Sequence, residues 1–288
     1  MDDRILAHLH ALIGERHPHT SRPSLLAAEQ YLVDTFRQLG YRVDHHAFEA
    51  MGGTYHNVSA SRDSGAGIGE PPLLIAAHYD TVQGSPGADD NASALAVLLE
   101  SARALSGADL RRPIQWVAFC LEEEDLLGSR AYVDDLKRLG KSVAGAIILE
   151  CVGYARSEEA TQIAPPHVPI AVPTVGNFLA MVGNQAAAGL AKLMMEAGRG
   201  AVPELPLIPL IVPGRGEQLP DTRRSDHAAF WDEDYPAIML TDTANFRNPH
   251  YHRATDTLET LNLEFIEQVA RLVTASARHW ADGIHDGK

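Results

Sequence analysis

Apolar positions along the chain fall into two patterns: short unbroken runs, and longer stretches in which they recur at helical spacing. Residues 73–77, 114–121 and 143–149 are nearly continuous apolar runs, as expected of strands covered on both faces. Between them lie helical patterns. Residues 91–105 place Ala94, Leu95, Val97, Leu98 and Ala102 on one side, and residues 129–139 form a second helix that stops at Gly140. Upstream, residues 3–13 and 24–38 read as helices. The second carries the stripe Leu25, Leu26, Tyr31, Leu32 and Phe36 and closes at Gly40. Residues 41–48 and 55–60 then read as strands, followed by a turn-rich connection over residues 61–72.

Downstream the pattern is less regular. Residues 157–172 hold several prolines and read as an excursion, 175–181 as strand-like and 185–197 as helical. Residues 205–212 are apolar but interrupted by Pro206 and Pro209, which suits an edge strand or an extended loop. A short core strand at 236–240 and a long closing helix over 262–281 complete the chain. In that helix Leu263, Ile266, Val269, Ala270 and Val273 face inward. The order predicts an α/β fold with a central mixed, mostly parallel sheet flanked by helices. Residues 1–288 read as a single domain with an N-terminal helical segment and a substrate-pocket excursion at 157–218. No internal repeat or low-complexity tract interrupts it.

Composition narrows the partners. The 288 residues are 45% hydrophobic, enough for one large core. With 38 acidic and 24 basic residues the formal charge is −14, which argues against a nucleic-acid backbone or an acidic membrane surface as the main partner. Cys120 and Cys151 sit in or beside apolar runs with no CxxC pair, so they read as small buried thiols. The first 17 residues lack the basic region and apolar core of a secretory signal, and no stretch reaches membrane-spanning length. The expectation is a cytoplasmic protein.

The chemistry lies where the apolar runs end. His78 and Asp80 leave the first central strand, Asp89 and Asp90 follow in the next loop, and Glu122, Glu123 and Glu124 follow the second strand. Glu150 follows the third, and His250, His252 and Asp256 cluster late in the chain. In sheets of this type sites gather at the carboxyl ends of strands. Carboxylates and imidazole in repeated strand-end placement are the donors that a divalent metal takes. Each has a plainer use: Asp89 and Asp90 as caps of the following helix, Glu122–Glu124 as a solvated face, Glu150 as a partner of Arg156. Spacing alone does not select between His250 and His252.

Four ordered segments carry a resemblance: AAHYDTVQGSPGADDNASA, FCLEEEDLLGSRAY, ILECVGY and SDHAAFWDEDYPAIMLTDTANFRNPHYHRATDT. Together they are similar to the M28 family of zinc-dependent peptidases, in particular its single-domain aminopeptidases, over about residues 24–270. The resemblance implies a zinc-exopeptidase-like three-layer sandwich. It also implies two divalent ions, Zn2+ first, with Mn2+ or Co2+ as fits, held by His78, Asp90, Glu123, Glu150 and His252, with Asp90 bridging. Glu150 stands where many relatives have aspartate, so that ligand is one methylene longer here. By the same resemblance Glu122 is the general base, Asp80 orients His78, and Tyr251 helps stabilise the tetrahedral intermediate. Asp226 and His227 support the site without His227 being a ligand, and His250, Asp256 and Asp89 order its loops.

The implied substrates are small peptides with a free N-terminus. The segments 178–181, 205–212 and 230–231 are candidates for the pocket that takes the first side chain. A glutaminyl cyclase-like reaction on the same fold, another small-amide hydrolase, and a noncatalytic binding protein are the rival readings.

Overall fold

The computed structural model describes residues 2–62 and 69–283. The middle of the turn-rich connection expected at 61–72 lies outside the described residues. Eight strands form one mixed sheet: β1 (Arg42–Ala50), β2 (Gly53–Ser61), β3 (Leu73–His78), β4 (Ile114–Phe119), β5 (Gly145–Glu150), β6 (Leu179–Asn184), β7 (Leu207–Val212) and β8 (Ala237–Thr241). Their order across the sheet is β1-β2-β4-β3-β5-β8-β6-β7. The centre, β4-β3-β5-β8, is parallel, whereas β1, β2 and the β8–β6 pair are antiparallel.

The central runs are unbroken because each face feeds a different core. In β3, Leu73, Ile75 and Ala77 join the larger core, while Leu74 and Ala76 join the smaller one. Against the first face pack α1 (Asp2–Leu12), α2 (Arg22–Gln38), α3 (Ala94–Leu105), α5 (Ala188–Ala201) and α7 (Leu263–Asp282). Against the second pack α4 (Leu127–Arg138) and α6 (His227–Asp232). The result is the three-layer α/β sandwich that the pattern predicts.

Two departures have physical reasons. The helix expected from residue 91 starts at Ala94, because Asp90 and Asn91 leave helical backbone (φ −106°, ψ 85° and φ −137°, ψ 33°). Their loop is fastened elsewhere: the Asp256 carboxylate accepts the N–H groups of Asp89 and Asp90. The proline-bearing segment 205–212 is resolved as an edge strand, β7, paired on one side only, where Pro209 costs no ladder bond on the open side. Cys120 and Cys151 are free and buried. No helix among the described residues is long and apolar enough to cross a membrane.

Candidate metal centre and active site

Neighbouring strands in a sheet lie about 4.8 Å apart, so the ends of β4, β3 and β5 deliver their next residues to one place. His78 closes β3 opposite Phe119 of β4, and Glu150 closes β5. Beyond the strand ends the backbone turns sharply. Leu121 and Cys151 adopt left-handed φ values of 60° and 47°, and His252 adopts 59°. Non-glycine residues take this region only where surrounding structure compels it, and such residues cluster at functional sites.

The five acids and imidazoles expected at the centre converge. His78 Nε2 lies 3.1 Å from Asp90 Oδ1 and 3.4 Å from Glu150 Oε2. On the other side of the same carboxylate, His252 Nε2 lies 3.0 Å from Asp90 Oδ2 and 3.2 Å from Glu123 Oε2. Asp90 therefore offers one oxygen to each histidine. Glu122 Oε2 stands 3.9 Å from His78 Nε2, also within reach of the first donor set. Only Glu124 of the three glutamates turns away, towards His17 at 3.5 Å.

Short as these separations are, several of the atoms lack a hydrogen-bond partner of proper geometry: both ring nitrogens of His78, Asp90 Oδ1 and Glu123 Oε1. A buried polar atom left unpaired costs about 1–3 kcal/mol. Of these, His78 Nε2 and Asp90 Oδ1 face each other within the carboxylate cluster, where a cation would satisfy them, while His78 Nδ1 faces Asp80. The electrostatics agree. Burial, then Asp90, pushes the Glu123 carboxyl up to about 8. Burial likewise lifts Glu122, reinforced by Glu150, Glu123 and Asp226. Burial opposes charge on His252, yet Asp90 and Glu123 carry it up to about 10. The cluster draws positive charge to itself.

A supporting layer holds these groups. Asp80 accepts the N–H of Glu122 (3.0 Å) and of Glu123 (3.1 Å), and its Oδ1 stands 3.5 Å from His78 Nδ1. Ser225 donates to Glu150 Oε2 at 2.7 Å. Asp89 caps no helix; it accepts Gly153 N–H (2.8 Å) and the Asn248 amide (2.7 Å). Asp256 thus fastens the loop of Asp90 rather than that of His252, while His250 contacts Thr255 at 3.0 Å. Asp226 is fully buried with both oxygens unpaired, and burial raises it to about 7. His227 points away, donating from Nε2 to the Thr222 carbonyl at 2.7 Å. The Cys151 thiol is held well above its usual range by burial, so it stays protonated beside Glu150.

Sequence reasoning missed Arg16. Its fully buried guanidinium donates to the carbonyls of Tyr79 (2.8 Å), Gly14 (2.8 Å), Pro86 (3.2 Å), Gly87 (3.3 Å) and Leu12, underpinning the loop between His78 and Asp90. Burial lowers its pKa to about 10, against the pull of Asp80 and Asp90. Nothing in its sequence neighbourhood marks it.

Beside Glu150 opens an apolar pocket lined by Val168, Ile170, Phe178, Leu210, Met239 and Phe246, with Tyr251 also in its wall. Of the three expected pocket segments, the first two contribute Phe178, Ala180, Ile208 and Leu210; Phe230 and Trp231 are instead core beneath the sheet. The Tyr251 ring stacks on His252 (3.8 Å between centroids), and its hydroxyl accepts from Arg224 at 3.3 Å.

The family model of Peptidase family M28 matches residues 57–198 and 213–277. The chain belongs to peptidase family M28. Among its relatives, the uncharacterized protein YfbL of Escherichia coli (strain K12) is 34% identical over 269 residues, covering 88% of this chain and 80% of that protein. The Legionella pneumophila LapA aminopeptidase superposes with a TM-score of 0.76 at 21% identity, over 99% of this chain and 73% of that one. BSAP, a zinc aminopeptidase from Bacillus subtilis, matches at TM-score 0.60 and 27% identity, over 83% and 53%. Against the curated aminopeptidases it matches first, this M28 chain spans 40–53% of their length.

Proposed function

We propose that this chain is a metal-dependent aminopeptidase that hydrolyses the amino-terminal bond of small peptides. The observation that carries the reading is Asp90, whose two oxygens each face a different histidine (3.1 and 3.0 Å). One donor set is then His78, Asp90 and Glu150, and the other Asp90, Glu123 and His252. Mixed imidazole and carboxylate donors suit Zn2+, with Mn2+ or Co2+ as alternatives. Divalent cations held there would polarise the scissile carbonyl and make a water acidic enough to attack at neutral pH.

The chain's own residues supply the rest. Glu122, lifted by burial, takes the proton of the attacking water and passes it to the leaving nitrogen. Asp80 keeps Glu122 and Glu123 in separate tasks by gripping both backbone N–H groups. Tyr251 accepts from Arg224 and so keeps its own hydrogen for the developing oxyanion. The carboxylates around Glu150 attract the substrate's ammonium group. The adjoining cavity takes a bulky apolar first side chain.

The test is a panel of peptides with free and blocked amino termini, given to metal-replete wild type and Glu122→Gln. Wild type should release the first amino acid from free peptides, fastest for Leu or Phe. Glu122→Gln should keep its metal while turnover falls roughly 10²–10⁴-fold. Ammonia and pyroglutamate from glutaminyl peptides would establish the cyclase reaction instead, and equal turnover by the variant would remove Glu122 as the base.

A further inference from the structure

Away from the strand-end centre, the β1–β2 hairpin and α2 bring a second imidazole–carboxylate group to the surface. In the antiparallel register His45 stands opposite Val58, and Ala47 opposite His56. His45 and His56 are therefore diagonal neighbours on one face, close enough for long side chains to meet. Their rings lie edge to face, 5.4 Å between centroids at 87°. Helix α2 sets Glu29 over that face. Glu29 Oε1 lies 3.1 Å from His56 Nδ1 and 3.3 Å from His45 Nδ1. One ligand atom from each of the three falls within 4.8 Å of the others.

These separations have a chemical meaning. Ligands at the usual N and O distances from a tetrahedral zinc ion stand about 3.3 Å from one another. An ordinary helix–strand ion pair brings one base to one carboxylate, whereas here two ring nitrogens turn to the same oxygen. The other oxygen, Oε2, lies 3.4 Å from the Tyr79 hydroxyl, whose hydrogen goes to the nearer His56 carbonyl at 2.8 Å and ties β2 to the chain after β3. The group is open on one side: Glu29 is 12% exposed, His56 34% and His45 39%. A hydrated ion can reach it and keep water in the remaining positions.

We propose that Glu29, His45 and His56 form a separate surface site for a borderline divalent cation, Zn2+ foremost, which pins α2 to the β1–β2 hairpin. Two imidazoles and one carboxylate select such ions over Mg2+ or Ca2+. The ligands come from three elements that unfolding scatters, so the ion binds the folded chain and stabilises it. Its role is mechanical, and it stands apart from the strand-end centre.

Wild type and the His45→Ala/His56→Ala double variant are equilibrated at one free Zn2+ concentration, and metal per chain is measured alongside Tm and peptide turnover. The double variant should hold one equivalent fewer and lose part of the zinc-induced rise in Tm, with turnover unchanged. Glu29→Gln, which keeps the side chain's size, should weaken that equivalent at least roughly tenfold. A zinc-edge anomalous peak between His45 and His56 would place the ion directly. Equal metal content in wild type and both variants, with no such peak, overturns the proposal and leaves an ion-paired surface group. A strand-end centre that failed to hold metal would lower wild type and variants alike, so the difference between them reports on this site alone.

Discussion

At the scale of single residues, the groups around the centre divide by what they face. Arg16 faces carbonyls, not substrate: its guanidinium ties the end of the first helix to the loop between His78 and Asp90. Replacing it by Met leaves those carbonyls unpaired and removes a buried cation from beside several carboxylates. Arg16→Met should lose on the order of 3 kcal/mol of stability in denaturant unfolding; a loss below measurement error would contradict this placement. His227 faces a carbonyl and the edge of Trp231. Burial draws its pKa from 6.5 down to about 4. The unfolded chain then binds a proton that the folded chain refuses. Its contribution is complete above pH 6.5 and declines as pH falls towards 4, by roughly 3 kcal/mol in all. His227→Gln should flatten the stability–pH slope across that interval.

At the scale of elements, the site depends on where strands stop and what fastens the turns after them. Asn57 of β2 accepts from Cys120 N–H at 3.0 Å and donates to the Gly128 carbonyl at 2.8 Å, binding the end of β4 to the start of α4. The Glu122–Glu123 turn lies between those two points. A Cβ at Gly128 would overlap the Cys120 carbonyl and the Asn57 side chain. Gly128→Ala should therefore cost about 1–3 kcal/mol and lower turnover as well, because the displaced turn carries both glutamates. A drop in Tm without any change in kcat would show that the turn moves independently of the helix. The apolar runs predicted the central strands and the closing helix closely, since both follow from periodicity. The start of α3 escaped prediction because its first turn is claimed by Asp256, a residue far away in sequence.

For the whole molecule, an acidic chain concentrates much of its buried charge at one end of the sheet. Metal removal should be felt globally. Exhaustive chelation should abolish turnover and lower Tm, and added Zn2+ should restore both. An ion at 100 times its dissociation constant is worth about 2.7 kcal/mol to the folded state. Full turnover by protein stripped of metal would refute the proposed chemistry.

The sequence by itself determined the sandwich, because unbroken apolar runs alternating with helical stripes can bury both faces of a sheet in no simpler way. Its motifs also named the acids and imidazoles that leave the strand ends. Only the tertiary structure decided how they share the work. The adjacency of β4, β3 and β5 brought distant turns to one point, turned Glu124 outward while Glu122 and Glu123 went in, and set Asp90 between His78 and His252. Arg16 beneath the loop and the apolar cavity beside Glu150 were decided there too. Both are assembled from segments whose local patterns say nothing of one another, so only the packed chain could bring them together.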